Sequence, residues 1–185
     1  MRLAALLLLS VAGLAPAADV TVKLSSPMYF FPVVKKVVFT AAGTPGPGEV
    51  KHTTIRESAT VNGDVKLPAV GNVDVWLVPK DGVPVRAVTD WKPADKAELK
   101  LAEHLGVIRV RGDDLPRGKL IVTDHQDRGP EDKKHAAVQW AGDSRTSLIV
   151  PPGDYAVWIA PDSGARPRRI TEKIRVLPGR SVDAE

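Results

Sequence analysis

The sequence predicts an all-β protein built of two tandem seven-stranded β-sandwiches behind a signal peptide. Three observations lead there. Proline and glycine, 16 and 15 residues of 185, are spread along the whole chain. They cut it into short runs rich in Val, Ile, Thr and aromatics, the spacing of an all-β sandwich or barrel. Helical periodicity is nearly absent. Finally, one phrase is written twice: "AVGNVDVWLVPKDG" at 69–82 and "PPGDYAVWIAPDSG" at 151–164.

The elements follow in order. Arg2, an apolar run from Leu3 to Leu14 and Ala15-Pro16-Ala17 form the charged, apolar, small-x-small series of a secretory signal, with cleavage expected after Ala17 to leave Ala18 as the new N-terminus. The apolar run is shorter than the roughly 20 residues a membrane helix needs, and no later run is long enough. First-half strands are expected at 19–25, 34–41, 50–61, 64–67, 72–79, 84–90 and 96–101. A second seven are expected at 107–111, 118–124, 135–140, 145–150, 154–160, 168–176 and 181–184. The segment 94–106 has the composition of a helix, but Ala97, Leu99 and Leu101 alternate, which favours a strand and then a turn.

The repeated phrase falls on the fifth strand of each set. At an offset of 82, Gly71/Gly153, Val75/Val157, Trp76/Trp158, Pro79/Pro161, Gly82/Gly164, Arg86/Arg168 and Thr89/Thr171 are identical. "VVFT" (37–40) and "LIVT" (120–123) lie at a similar offset. These matches favour a duplication over a fortuitous echo in one larger sandwich. They divide the chain into a signal peptide (1–17), a first module (18–103) and a second module (104–185).

Leu148, Pro151, Pro152, Gly153, Asp154, Tyr155 and Val157, with the later turn Pro178-Gly179, resemble the closing segment of carboxypeptidase regulatory-like domains. These belong to the transthyretin-like, starch-binding-like sandwiches. The resemblance covers 107–185 best and 64–101 weakly, where Val70 and Val73 replace the second Pro and the Tyr. It implies an Ig-like or transthyretin-like sandwich with a non-catalytic accessory, adhesive or carbohydrate-associated role. Tyr155, just after its turn, is placed to return its hydroxyl to upstream backbone, as a tyrosine corner does.

Composition excludes much chemistry. There is no cysteine, hence no disulfide, thiolate nucleophile or cysteine metal site. The formal charge of +4, or +3 without Arg2, argues for no nucleic-acid partner. No Gly-rich phosphate loop and no G-x-S-x-G elbow occur; Ser144, His125 and Asp143 exist without a turn that presents the serine.

Three polar or aromatic sets remain. Asp124, His125, Asp127 and His135, with Glu131 and Asp132, are a weak candidate metal loop. Their spacing matches no calcium loop and no H-E-x-x-H, so a solvated turn without a structural metal is expected. The basic residues Arg166, Arg168, Arg169, Lys173, Arg175 and Arg180 read as the solvated face of an edge strand or as a patch for acidic glycans. Tyr29, Phe30 and Phe31 read as a core plug or as an exposed loop.

Trp76 and Trp158, with Arg86 and Arg168, are the candidate ligand platform. Val73, Val75 and Leu77 in one copy, and Tyr155, Val157 and Ile159 in the other, form the uniformly apolar face. Both tryptophans therefore point away from their own core. They either stack sugar rings or lie buried beneath the neighbouring module or the arginine stems. The repeated Arg–Trp pair favours the second. The expected protein is thus secreted or periplasmic, non-enzymatic and free of cofactors, with a binding or structural role at the cell envelope and an envelope protein or polysaccharide as partner. A carbohydrate-binding module is the alternative and a metal-dependent hydrolase the least favoured.

Overall fold

The computed structural model describes residues 19–27, 33–49, 52–68, 71–112, 114–130 and 137–185. The expected signal segment 1–17, Tyr29–Phe31, Glu131, Asp132 and His135 lie outside the described residues.

Fourteen strands form among the described residues. The first seven are β1 (Val20–Ser25), β2 (Val34–Ala41), β3 (Thr54–Ser58), β4 (Gly63–Leu67), β5 (Val73–Pro79), β6 (Val85–Trp91) and β7 (Glu98–Lys100). A single 3-10 turn (Leu101–Glu103) is all that the helix-like composition of 94–106 yields. The second seven are β8 (Gly106–Val110), β9 (Gly118–Asp124), β10 (Gln139–Ala141), β11 (Leu148–Val150), β12 (Gly153–Pro161), β13 (Arg168–Val176) and β14 (Ser181–Ala184). The third strand of the first copy is shorter than the sequence suggests. So is the fourth of the second, where Thr146 N–H closes a turn on the Asp143 carbonyl and takes up residues expected to extend it.

Each copy makes one three-stranded and one four-stranded sheet. The orders are β4-β1-β7 and β3-β2-β5-β6 in the first, β11-β8-β14 and β10-β9-β12-β13 in the second. The second pair is the first with seven added to every strand number. Even the one parallel pairing recurs: β1 with β7, and β8 with β14. Outward ion pairs match too, Lys23–Glu98 at 4.0 Å and Arg109–Asp183 at 2.9 Å, each across that parallel pair. The connectivity differs from the immunoglobulin constant type, whose first strand shares a sheet with its second, fourth and fifth. Here the first strand pairs with the fourth and seventh.

Alternation places the cores as expected. Val73, Val75 and Leu77 enter the first core with Phe39, Leu24 and Leu67. Tyr155, Val157 and Ile159 enter the second with Leu120, Val122 and Ile174. Tyr155 makes its corner: the hydroxyl donates to the Pro151 carbonyl at 2.8 Å.

The copies are not insulated from each other. Val107 and Ile149, from the second, are buried in the first core beside Leu101 and Leu105. Alongside, the β5–β6 hairpin abuts β10. The Gln139 side chain, fully buried, donates to the Val83 carbonyl at 2.9 Å and accepts from Val83 N–H at 2.7 Å. Its oxygen also accepts from Trp140 N–H at 3.0 Å. Gly82, at φ +106°, is needed here, because any Cβ would run into Gln139 and the Trp140 carbonyl.

Candidate functional site

Each four-stranded sheet carries a tryptophan on its outer face, and each is hidden there. Trp76 and Trp158 are both only 8% exposed. The indole N–H of Trp76 donates to Thr40 Oγ1 at 3.1 Å, and that of Trp158 to Thr123 Oγ1 at 3.1 Å. The two threonines sit on β2 and β9 and are themselves fully buried. A glycine backbone closes each niche. Any Cβ on Gly46 would collide with the Trp76 ring, and one on Gly129 would stand 2.6 Å from Cη2 of Trp158. A guanidinium completes the cover: Arg86 lies 4.4 Å from the Trp76 centroid and Arg169 lies 4.3 Å from that of Trp158.

The second arginine corrects the sequence expectation, which paired Trp158 with Arg168. Trp76 lies opposite Arg86, and Trp158 lies opposite Arg169. The physical reason is hairpin length. Leu77 meets Val85, eight residues on, whereas Ile159 meets Arg168, nine residues on. One extra residue in the second hairpin moves the equivalent of Arg86 from position 168 to 169. The identities Arg86/Arg168 and Thr89/Thr171 are therefore coincidences of a constant offset. Thr40/Thr123 and Gly46/Gly129, at an offset of 83, are structural equivalents; the Gly-Pro pairs 46–47 and 129–130 carry that offset in the sequence.

With Thr, Gly and Arg around each indole, neither Trp76 nor Trp158 offers a free ring face. They are cross-braces of the outer sheet surface. Anchoring of the arginines differs. Arg86 lies 3.8 Å from Asp74, which is fully buried and also accepts from Gly43 N–H at 3.1 Å and Asp90 N–H at 2.9 Å. In the second copy Ala156 takes the place of Asp74, and Arg169 instead donates to the Asp127 carbonyl at 3.3 Å and pairs with Glu172 at 3.7 Å.

The candidate metal loop serves this brace. Asp124 accepts from Gln126 N–H at 2.9 Å, and its backbone carbonyl accepts from Asp127 N–H at 3.0 Å. His125 Nδ1 lies 3.3 Å from Asp124 Oδ1 but makes no hydrogen bond. Among the described residues no three metal-ligating side chains converge. In the described part of the segment expected as a solvated turn, Asp124, Gln126 and Arg128 are exposed, while Gly129 is buried and covers Trp158. Ser144 and Asp143 are engaged apart from His125: Ser144 Oγ donates to the Pro116 carbonyl at 2.9 Å, while Asp143 accepts from Arg145 N–H at 2.9 Å.

Much of the basic strand β13 is spent internally. Arg175 pairs with Asp154 at 2.9 Å and Lys173 does so at 3.1 Å. Those two cations, Arg175 foremost, hold the Asp154 carboxyl well below the usual carboxylate range. Arg168 is different: no ion pair or hydrogen bond engages its guanidinium among the described residues. It stands at the rim of a surface groove of about 570 Å³.

Fold and brace together define a protein of two β-sandwiches in which Trp76 and Trp158 are buried on the outer faces of their sheets. No family model matches the chain, and no curated protein matches it. Solved structures with some likeness include the Bacillus anthracis TIE protein, at 10% identity over 90% of this chain with a TM-score of 0.31. Another is a leucine-rich repeat protein from Bacteroides thetaiotaomicron VPI-5482, at 12% identity over 90% of this chain with a TM-score of 0.23. The chain spans 33% and 25% of those two proteins, and likeness at this level carries no argument about either fold or role.

Proposed function

We propose that the chain is an exported, non-catalytic scaffold with a binding or structural role at the cell envelope, related to the carboxypeptidase regulatory-like sandwiches. The observation that carries this reading is the seam. A buried Gln139 gripping Val83, with Val107 and Ile149 inserted into the first core, makes two sandwiches into one stiff unit. Stiffness of that kind suits a spacer or a presenting scaffold. Export is supported by the first seventeen residues of the sequence. The family kinship is supported by the Tyr155–Pro151 corner.

The carbohydrate-binding alternative is weakened at Trp76 and Trp158, whose rings are covered. Trp140 keeps it alive: it is half-buried on the same outer face, with Lys119 Nζ 4.3 Å from its centroid.

Fractionation of cells producing the full chain, with mass spectrometry of its N-terminus and chemical cross-linking in place, tests the proposal. The expected outcome is a chain beginning at Ala18 outside the cytoplasm and cross-linked to an envelope protein or polysaccharide. An intact Met1 chain in the cytoplasmic fraction overturns it.

A further inference from the structure

The groove lined by Arg168 lies where one core-side position differs between the copies. In the first copy Val85 lies opposite Leu77 on the core side of the edge strand and is 5% exposed. In the second, the register partner of Ile159 is Arg168, which is exposed. Register partners share a face of the sheet, so an arginine occupies the place of a core valine. No internal ion pair among the described residues compensates for it.

Around this arginine the surface is built as a slot. Leu115 and Ile170, both packed against the second core, form an aliphatic wall. Gly112 leaves the space into which Leu115 folds, since a Cβ there would stand 3.0 Å from Leu115 Cγ. Arg111 and Arg169 also line the slot, but each has other work, Arg111 with Asp183 at 3.3 Å and Arg169 over Trp158. Asp114 and Glu185 contribute carboxylates. With Arg111 and Arg169 held by Asp183 and Glu172, Arg168 is the guanidinium of the slot left without a carboxylate partner among the described residues, so a single carboxylate is what the slot can pair. A volume of about 570 Å³ lies within the range of roughly 300–1,000 Å³ usual for small-molecule sites.

We propose that this groove binds a singly anionic amphiphile, its carboxylate on the free guanidinium fork of Arg168 and its alkyl body against Leu115 and Ile170. A planar fork is suited to a carboxylate in bidentate geometry, and the aliphatic wall takes the chain out of water. The inference deepens the binding role proposed above by giving it a ligand class.

Isothermal titration of the purified protein with decanoate tests it, with acetate, decanol and heparin as comparison ligands. The expected result is saturable one-to-one binding of decanoate, with acetate and decanol each weaker by tenfold or more. Arg168→Val, which restores the residue of the first copy, should abolish binding without lowering the unfolding midpoint. Arg168→Lys should retain part of it, and Arg175→Ala, whose arginine pairs with Asp154, should leave it unchanged. Absence of saturable decanoate binding overturns the proposal. So does equal binding of acetate, tighter Arg168-dependent binding of heparin, or undiminished binding by Arg168→Val. These measurements use purified protein, so their failure would leave the export reading standing, and failure of export would leave them standing.

Discussion

The outer faces of the two four-stranded sheets use one plan with one exchanged partner. Across the first runs the row Glu57, Val38, Trp76, Arg86; across the second runs Trp140, Ile121, Trp158, Arg169. The lysine two residues before Val38 pairs with Glu57 at 2.7 Å. Its counterpart two residues before Ile121, Lys119, lies 4.3 Å from the Trp140 centroid. The same ammonium thus finds a carboxylate in one copy and a π-face in the other. The tryptophan, its threonine, its glycine and its arginine are kept, while what anchors the arginine and ends the row varies. Close packing explains the difference: the covered indole tolerates few neighbours, whereas exposed pairs at the row's end contribute little and drift freely.

The largest contrast should come from the two glycines. Gly46→Ala is expected to cost about 2 kcal/mol by overpacking against Trp76. Gly129→Ala is expected to cost more, about 3 kcal/mol, because φ of +116° adds backbone strain to the same collision. Urea denaturation of both variants checks this; wild-type midpoints would mean that the loops do not cover the rings.

Next is the seam. Gln139→Ala should cost about 2 kcal/mol by removing the hydrogen bonds that its buried side chain makes to Val83, Trp140 and Ile149. It should also split a single calorimetric transition in two. One unchanged transition would show that the shared apolar contacts alone couple the copies.

The arginine covers come third, at about 1 kcal/mol each. Arg169→Ala should shift tryptophan emission to the red and raise acrylamide quenching, whereas Arg168→Ala should do neither. Arg86→Ala should cost more than Arg169→Ala, because it leaves the buried Asp74 without its cation. The reverse order would place the Asp74 contact outside the energetics of the niche.

The smallest effect belongs to the second copy alone, where Asp154 and Tyr155 stand at the positions of Asn72 and Val73. Burial, with the charge of Asp124 second, pushes the Tyr155 hydroxyl up to about 12. An ordinary phenol ionises near 10, so the unfolded chain loses its proton first. The stabilisation is therefore full below pH 10 and is lost as pH rises towards 12. Tyr155→Phe should cost about 1 kcal/mol at neutral pH and flatten this alkaline loss. Asp154 has the opposite sign: its lowered pKa gives stability that is present above the ordinary carboxylate value and lost as pH falls below about 4. An alkaline limb of equal slope in Tyr155→Phe would assign it to other groups.

Alternation made most of this fold readable. Strands β2, β9, β13 and β14 appear with the boundaries that their composition suggested, because each is a run of alternating residues bounded by turn residues. The outward direction of Trp76 and Trp158 followed from the same period of two. The partner Arg169 did not, because a one-residue difference in hairpin length leaves no mark in a constant-offset comparison. The burial of Gly129 against Trp158 was also illegible, since a Gly-Pro pair in a polar stretch reads equally well as a solvated turn.

By itself the sequence determined the all-β class, the doubling and the two core faces, all set by local periodicity and turn chemistry. Tertiary structure decided which backbone lies on each indole, that Gln139 clasps the hairpin of the other copy, and that Arg168 stands where a core valine stood. Those outcomes depend on contacts between residues tens of positions apart, whose register is fixed only when the sheets pack.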